Sequence, residues 1–219
     1  MTDVYQTYLA SPAQEMLANR FGLFCDLAVG ATGSDESSIL LLDSASDVLR
    51  FVTTMSKDGP ETKLIGFSVP MGEGITGLAA KSGEVQIGAP TYDDADLSEA
   101  TGAVQHVVAA PIIGKTGLLG AATAISFGRE DSYGMEDARR LAGVAEAAAL
   151  AIDTMMADEL SAGTELSQRT YEIVQRLAAS LNTLPSQDPV LMMSVEALLE
   201  HLETVLRAAS SGRGADRSI

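Results

Sequence analysis

Few residues of this chain are suited to catalysis or to metal binding. Its 219 residues include one cysteine, Cys25, and two histidines, His106 and His201. A single cysteine excludes a disulfide within the chain and any site that needs several thiolates. The histidines lie far apart in sequence, so a zinc site would need carboxylates or a second chain. Since no G-x-S-x-G motif or other serine–histidine–aspartate pattern occurs, we predict no catalytic residues and no metal site.

Cys25 and His106 each allow two interpretations. Cys25 could be a reactive thiol, but its helical neighbours Phe21, Phe24 and Ala28 favour a buried structural cysteine. His106 opens the strand-like segment that follows Gln105, H-V-V-A-A-P. It could face a cavity as a haem ligand or as a hydrogen-bond donor to an anion. The favoured interpretation is a partly exposed histidine at the end of a strand.

An acidic segment lies near the middle of the chain. Tyr92, Asp93, Asp94 and Asp96, followed by Glu99, could bind a cation, but their spacing does not fit an EF-hand loop. The favoured interpretation is that this segment is a solvated lid that covers a ligand cavity. Tyr92 could then stack on the ligand.

His201 lies in L-L-E-H-L-E-T-V-L, on a predicted amphipathic helix near the C-terminus. Histidine kinases present a phospho-accepting histidine on such a helix after a sensor domain. Here Leu202 stands where an acidic residue usually follows the histidine. A histidine beside a helix–helix seam is therefore favoured over a phosphoacceptor.

The charge of the chain is strongly acidic, with a formal net value of −16. Such a surface repels phosphate backbones, and the basic residues are scattered, so no nucleic-acid partner is predicted. The N-terminus carries no charged-then-apolar leader, and no apolar run is long enough to span a bilayer. We therefore expect a soluble, cytoplasmic protein that does not contact a membrane.

The spacing of apolar residues predicts the elements that must position these groups. A helix is predicted where apolar residues recur every three or four positions, and strands where short β-branched runs occur. The helices are expected at residues 11–30, 75–81 and 135–156, a turn at 57–62, and strands at 38–42, 49–55, 64–69, 85–87, 106–113 and 118–127. Helices at both ends of a run of strands indicate an α+β domain with an antiparallel sheet.

Residues 161–209 have a different pattern. Two amphipathic helices are separated by the segment Pro185–Pro189, and the second carries apolar residues at heptad spacing from Leu191 to Ala209. Neither helix would be stable alone, so we predict a helical hairpin that serves dimerisation or signal transmission. Residues 210–219 are predicted to be a disordered tail.

Three motifs in the expected order resemble the GAF domain family. The segment V-P-M-G-E-G-I-T-G-L-A-A-K-S-G-E-V-Q-I, residues 69–87, is similar to the family's glycine-rich turn, short helix and following strand. Residues 109–124, A-A-P-I-I-G-K-T-G-L-L-G-A-A-T-A, resemble its central hairpin, and residues 133–152 resemble its closing helix. The resemblance covers roughly residues 15–158, and we assign residues 1–160 to the domain, including its N-terminal helix.

The resemblance implies an antiparallel sheet with dimerising helices on one face and a ligand cavity on the other. Thr76–Lys81 and residues 88–105 would roof that cavity. The resulting candidate ligand-binding residues are Phe67, Thr76, Tyr92, Asp93, His106, Ala109 and Thr123.

The family's best-known ligand signatures are missing from this chain. The asparagine-lysine-phenylalanine-aspartate-glutamate signature of cyclic-nucleotide-binding members is not visible, and the cysteine–histidine pair of bilin-binding members is absent. Free methionine sulfoxide reductases of this fold use several cysteines, whereas this chain has one. The ligand and any cofactor are therefore left unassigned.

These features favour a non-catalytic sensor, a bacterial-type regulator that binds a small ligand. Ligand entry would change helix packing in a homodimer and so signal through the dimer or to a partner protein. One alternative is a redox or other enzyme that uses the same cavity, with Cys25 or His106 required for turnover. Others are a phosphotransfer or adaptor protein that uses the C-terminal hairpin, and an adaptor whose cavity is collapsed.

Overall fold

A computed structural model describes residues 3–11, 14–90, 104 and 106–159, with side chains described up to Thr154. The predicted hairpin at 161–209 and the predicted tail at 210–219 lie outside these residues. The elements are α1 (Val4–Ala10), α2 (Gln14–Thr32), β1 (Glu36–Asp43), β2 (Val48–Ser56), β3 (Gly59–Glu61), β4 (Ser68–Pro70), α3 (Gly74–Ser82), β5 (Gln86–Gly88), β6 (His106–Gly114), β7 (Gly117–Ser126) and α4 (Met135–Glu159).

The strands form one antiparallel sheet, which confirms the predicted fold class. Their order is β3-β2-β1-β7-β6-β5, and β4 pairs with β2 beside this path. The long strands β1, β2, β6 and β7 form its centre, where Leu40, Ala109 and Ala121 are completely buried. Such strands are covered on both faces, which explains their nearly continuous apolar sequences.

Helices α2 and α4 cover one face of the sheet. The buried side of α2 includes Phe21, Phe24 and Cys25, and that of α4 includes Leu141 and Ala148. They pack on Ile39, Leu41, Val108, Ala110 and Ala122 of the sheet. Alanine has the highest helix propensity and a small side chain, so the alanine-rich α4 can approach the strands closely.

The predicted strand at 64–69 is wrong over its first four residues. Ile65 and Phe67 donate backbone hydrogen bonds to Thr62 and Leu64, as in consecutive turns. Gly66 has a φ of 91°, in the left-handed region that interrupts an extended segment. Extended structure begins only at Ser68. Conversely, the segment predicted as a turn at 57–62 contains the short strand β3, because the hairpin with β2 closes at Gly59.

The N-terminal helices also differ from the prediction. The additional helix α1 is capped by Asp3, whose carboxylate accepts from the Gln6 amide at 2.9 Å and from the Ser44 amide at 2.8 Å. Helix α2 passes through Gly30 and ends before Gly33, which has a φ of 64°. Gly33 is therefore the residue that stops the helix, as expected of a left-handed C-terminal glycine.

Helix α3 agrees with the short helix predicted over 75–81. It ends at Gly83, whose φ of 72° is left-handed. Gly77 lies where the helix crosses the preceding turn: a Cβ atom there would lie 2.3 Å from the Pro70 carbonyl oxygen. The glycine-rich sequence thus allows α3 to lie directly against the chain that leads into it. No helix among the described residues is long and apolar enough to cross a membrane.

Candidate functional site

The sheet face opposite α2 and α4 carries the candidate site. We call it the α3 face, because Ala80 of α3 packs there with Leu40, Phe51 and Ala121 of the sheet. Side chains alternate between the two faces along a strand. On β1, Glu36, Ser38, Leu40 and Leu42 therefore share the α3 face, whereas Ser37, Ile39 and Leu41 point to the helices.

One half of the α3 face is filled with apolar side chains. These are Leu40, Leu42, Leu49, Phe51, Leu64, Val69, Ala80 and Ala121, with Phe67, Met71 and Leu118 packed against them. The cluster holds α3 and β4 on the sheet by burial of apolar surface, which stabilises by about 25 cal/mol per Å². The candidate residue Phe67 is partly buried and packs against this core.

The other half of the α3 face is polar and buried. Ser38 pairs across the sheet with Thr54 on β2 and with Thr123 on β7, and Thr123 pairs with Ala109 on β6. The Ser38 Oγ and Thr54 Oγ1 atoms lie 2.9 Å apart in a hydrogen bond. All three hydroxyl residues are at most 4% exposed. We call Ser38, Thr54 and Thr123 the hydroxyl row.

Glu36 extends this polar half by one further position on β1. Its carboxylate Oε1 lies 3.2 Å from Lys63 Nζ in an ion pair. The glutamate side chain is 7% exposed and the lysine side chain 41%. The buried Oε2 atom has no hydrogen-bond partner among the residues that the structure describes. Leaving an acceptor buried and unpaired costs about 1–3 kcal/mol, so it needs an explanation.

The structure brings two of the predicted site residues together. Ala109 and Thr123 are paired on neighbouring strands of the polar half. Thr76 lies half-buried in the first turn of α3. Tyr92, Asp93 and His201, predicted as lid, ligand contact and phosphoacceptor, lie outside the described residues.

His106 lies apart from the other candidates. It begins β6 and is paired with Ser126. Strand alternation places it on the same face as Val108 and Ala110, which belong to the core with the helices. His106 is therefore on the face opposite Ala109 and Thr123, at the half-buried end of a strand. Its position three residues from Ala109, an odd number, separates it from the other predicted site residues.

Cys25 lies on the helix side, completely buried in α2. Burial raises the pKa of its thiol far above the ordinary value; a hydrogen bond to Ser37 lowers it in part, and Asp26 raises it. Thiol chemistry requires the thiolate, which this environment disfavours. The prediction of a buried structural cysteine is confirmed.

Four residues of the polar half were missed in the sequence: Glu36, Ser38, Thr54 and Lys63. The strand prediction began at Ser38 and so excluded Glu36. A signal was present, since Glu36 and Ser38 alternate with residues of the opposite face just before an apolar run. Lys63 gave no such signal, because its turn is distant in sequence from β1. Among the described residues, no group of three or more His, Cys, Asp or Glu could hold a metal ion.

The polar half is connected to α4 through the end of β7. Lys63 Nζ lies 5.7 Å from the ring centre of Phe127. Two residues later, Arg129 Nη2 bonds Asp137 Oδ2 at 3.1 Å, in the first turn of α4. The Arg129 guanidinium also lies 4.6 Å from the ring centre of Tyr133.

Three further bonds strengthen this connection. The Tyr133 hydroxyl donates to Ser34 at 2.8 Å, and burial raises the tyrosine pKa to about 12 against the effects of Ser34 and Arg129. The Phe127 amide donates to Asp35 Oδ2 at 2.9 Å, and Lys57 Nζ lies 2.8 Å from Asp35 Oδ1. Arg129 bonds Asp137 and lies over the ring of Tyr133, which bonds Ser34. We call these four residues the α4 latch.

Several solved structures share this fold. The GAF-B domain of DevS from Mycobacterium smegmatis is 16% identical, with a TM-score of 0.54 over 65% of this chain and 96% of that domain. The GAF domain of a phosphoenolpyruvate-protein phosphotransferase from Coxiella burnetii is 19% identical, with a TM-score of 0.55 over 72% and 92%. The blue-light absorbing form of the PixJ GAF domain from Thermosynechococcus elongatus is 13% identical, with a TM-score of 0.52 over 69% and 94%.

No curated protein sequence matches the chain. At these identities the structural likenesses establish the fold alone. The family model described as GAF domain matches residues 20–153, which include α3, all seven strands and most of α2 and α4. Since this match spans well over half of the 219 residues, the chain belongs to the GAF domain family.

Proposed function

We propose that this protein is a non-catalytic sensor that binds a small ligand at the polar half of the α3 face and signals through its helices. The observation that carries the proposal is the buried hydroxyl row next to Glu36. Buried hydroxyls and carboxylates cost free energy unless they are paired. A strand face that only had to pack would be expected to continue the apolar sequence of Leu40 and Leu42 to its end.

The neighbouring structures support a regulatory role. They come from DevS, from PixJ and from a phosphoenolpyruvate-protein phosphotransferase, in which the domain is one part of the protein. This support is by analogy of fold, which does not determine function by itself. The buried Cys25 thiol, unsuited to nucleophilic or redox chemistry, makes the enzyme alternative less attractive.

The α4 latch offers a path from the ligand to the helix layer. A ligand that moved the Glu36–Lys63 ion pair would disturb the contact between Lys63 and the Phe127 ring. Phe127 lies two residues from Arg129, which bonds the first turn of α4. We infer that binding alters the position of α4, and that a homodimer built on the helices passes this change to a partner protein.

Native mass spectrometry of freshly purified protein, with an absorbance spectrum, tests the proposal. We expect a bound small molecule in the wild type, with reduced occupancy in Thr123→Val, because valine has the shape of threonine without its hydroxyl. Thr53→Val is the matched control, since Thr53 is buried on the opposite face near Gly22 of α2. Equal occupancy in the two variants would place the ligand elsewhere.

The apolar half of the α3 face favours one second candidate. Its filled core is what an adaptor with a collapsed cavity requires. In that case the wild-type protein would carry no ligand, and Thr123→Val would raise stability because it replaces a buried hydroxyl with a methyl group. The presence or absence of a retained ligand in the wild type therefore separates the sensor from the adaptor.

A further inference from the structure

We propose that helix α1 is a reversible strap, which opens as one unit from the folded domain and whose docking depends on the position of α3. The inference goes beyond the proposed function, because it needs no ligand and does not involve the polar half. It starts from the bonds that meet at the turn between β1 and β2, residues 44–47. We call these residues the hairpin turn.

Helix α1 is too short to be stable without its docking contacts. It has seven residues, whereas an isolated helix shorter than about 12–15 residues is marginal in water. Its buried residues are Val4 and Tyr8, and Leu9 is 44% exposed. The Tyr8 ring packs on the Phe21 ring of α2, with ring centres 5.9 Å apart. Few buried apolar contacts are typical of a segment that opens at low free energy.

One carboxylate holds α1 on the hairpin turn. Asp3 Oδ2 accepts from the Ser44 amide at 2.8 Å, from the Ser44 hydroxyl at 2.7 Å and from the Ala45 amide at 3.2 Å. Its Oδ1 atom accepts from the Gln6 amide and so caps the helix. Burial by itself raises the pKa of this carboxyl, but the four bonds outweigh burial and hold the pKa below its ordinary value. Because the same carboxylate caps the helix and docks it, undocking and fraying of α1 should occur together.

A second contact joins α1 to the same hairpin. The Arg50 guanidinium lies 5.4 Å from the ring centre of Tyr5, and Arg50 Nε bonds Asp43 Oδ2 at 2.8 Å. Asp43 precedes the hairpin turn and Arg50 follows it on β2. A movement of this end of the hairpin would therefore change both contacts of α1.

The hairpin turn also bonds the segment that leads into α3. The Asp47 carbonyl oxygen accepts from the Met71 amide, directly after β4, at 3.2 Å. Asp47 has a φ of 55°, in the left-handed region, which a residue other than glycine keeps only where its surroundings hold it. Gly77 of α3 lies against the Pro70 carbonyl oxygen. A displacement of α3 would therefore move Pro70 and Met71, and with them the turn on which α1 is docked.

Hydrogen exchange of the full chain, followed by mass spectrometry, tests the strap. We expect the amides of α1 to exchange faster than those of β1 and β7 in the wild type, because α1 opens while the sheet stays folded. In Asp3→Asn the new side chain can still cap the helix, but its nitrogen cannot accept from the hairpin turn. We expect α1 to exchange at least about tenfold faster in this variant, with β1 and β7 unchanged, because bonds to a charged group are lost. Asp58→Asn, at an exposed position between β2 and β3, is the matched control and should exchange like the wild type.

Gly77→Ala tests the dependence on α3. The new Cβ atom would lie 2.3 Å from the Pro70 carbonyl oxygen, so one of the two segments must move. We expect α1 to exchange about fivefold faster or more, although the substitution lies on the α3 face. Gly128→Ala, whose Cβ atom has nothing within 4 Å, should leave α1 unchanged. Coupling between two sites is reciprocal, so Asp3→Asn should also speed up exchange at residues 71–77.

Three results would overturn the inference. Exchange of α1 at the rate of β1 and β7 in the wild type would show that it does not open separately. An unchanged α1 in Asp3→Asn would mean that the carboxylate does not hold it. An unchanged α1 in Gly77→Ala would remove the dependence on α3. Thermal unfolding shows whether Gly77→Ala is folded, and if it is not, exchange at residues 71–77 in Asp3→Asn decides the same point. Native mass spectrometry of the wild type tests the sensor independently, so that either proposal can fail while the other stands.

Discussion

Cys25 shows how an environment can suppress chemistry that a residue type permits. The thiol is completely buried between α2 and the sheet, and burial raises its pKa. The same residue in an exposed, electropositive position would be a candidate nucleophile. Its position in the core of the helix layer makes it a packing residue, comparable with Phe21 and Phe24 beside it.

We expect the native protein to resist thiol-alkylating reagents near neutral pH. The reagent needs both contact with the sulfur and the thiolate form, and burial prevents both. After unfolding in guanidinium chloride, the single cysteine should react fully. Mass spectrometry of the two samples gives the extent of modification. Rapid labelling of the folded protein would show that α2 opens readily or that Cys25 is accessible.

Gly77 lies where the backbone leaves no room for a side chain. We expect Gly77→Ala to lower the free energy of unfolding by about 1–3 kcal/mol, because the new Cβ would meet the Pro70 carbonyl oxygen and one of the two segments must move. Gly128→Ala is the control, since a Cβ there has nothing within 4 Å. Denaturant unfolding measures both; equal stability of the two variants would contradict the close contact.

At the scale of elements, Asp35 connects the turn after β2 to the end of β7. Burial by itself raises the pKa of its carboxyl, but the bonds from Lys57 and from the Phe127 amide outweigh burial, so the pKa lies below its ordinary value. A lowered pKa in the folded state means that the ionised group stabilises the protein. The contribution is present above the unfolded-state pKa of about 3.9 and is lost as the pH falls through the folded-state value.

Asp35→Asn should therefore destabilise the protein near pH 7 and have little effect at strongly acidic pH. We expect a loss of about 1 kcal/mol at pH 7, since the carboxyl is about one-third exposed and solvent weakens the interaction. Unfolding by denaturant at several pH values measures the difference. The exposed Asp58→Asn serves as control. A difference that stayed constant down to acidic pH would mean that charge is not the cause.

At the scale of the molecule, the two faces of the sheet differ in what packs on them. The helix face holds the apolar core, while the α3 face is divided between a packed half and a polar half. The α4 latch joins the polar half to the helix layer at one corner of the sheet. Under the proposed function, this corner is where a change at the ligand would reach the helices.

We expect the full chain to form a homodimer in solution. Exposed apolar side chains remain on the helices, including Met16 on α2 and Met135 on α4, and a partner subunit would cover such surface. Light scattering coupled to size exclusion, over a range of concentrations, gives the mass directly. A monomer at every concentration would refute the dimer and leave signalling to a separate partner protein.

The sequence by itself determined the class of the fold and most of its elements. Periodicity separates helices from strands because side chains repeat every 3.6 residues in one and every two in the other. The motif at 69–87 is recognisable because glycine is favoured where the backbone approaches closely, as Gly77 of α3 does the Pro70 carbonyl oxygen. The error at 64–69 arose at Gly66, whose left-handed φ of 91° interrupts an otherwise strand-like apolar run.

Only the tertiary structure decided which residues share a site. Ala109 and Thr123 were predicted and are neighbours, whereas His106 faces the other side of the sheet because its position on β6 has the opposite parity. Lys63 reaches Glu36 across 27 positions of sequence, a pairing that depends on the path of the chain between β3 and β4. Local patterns specify elements; the contact between a distant turn and the first residue of a strand exists only after the sheet has assembled.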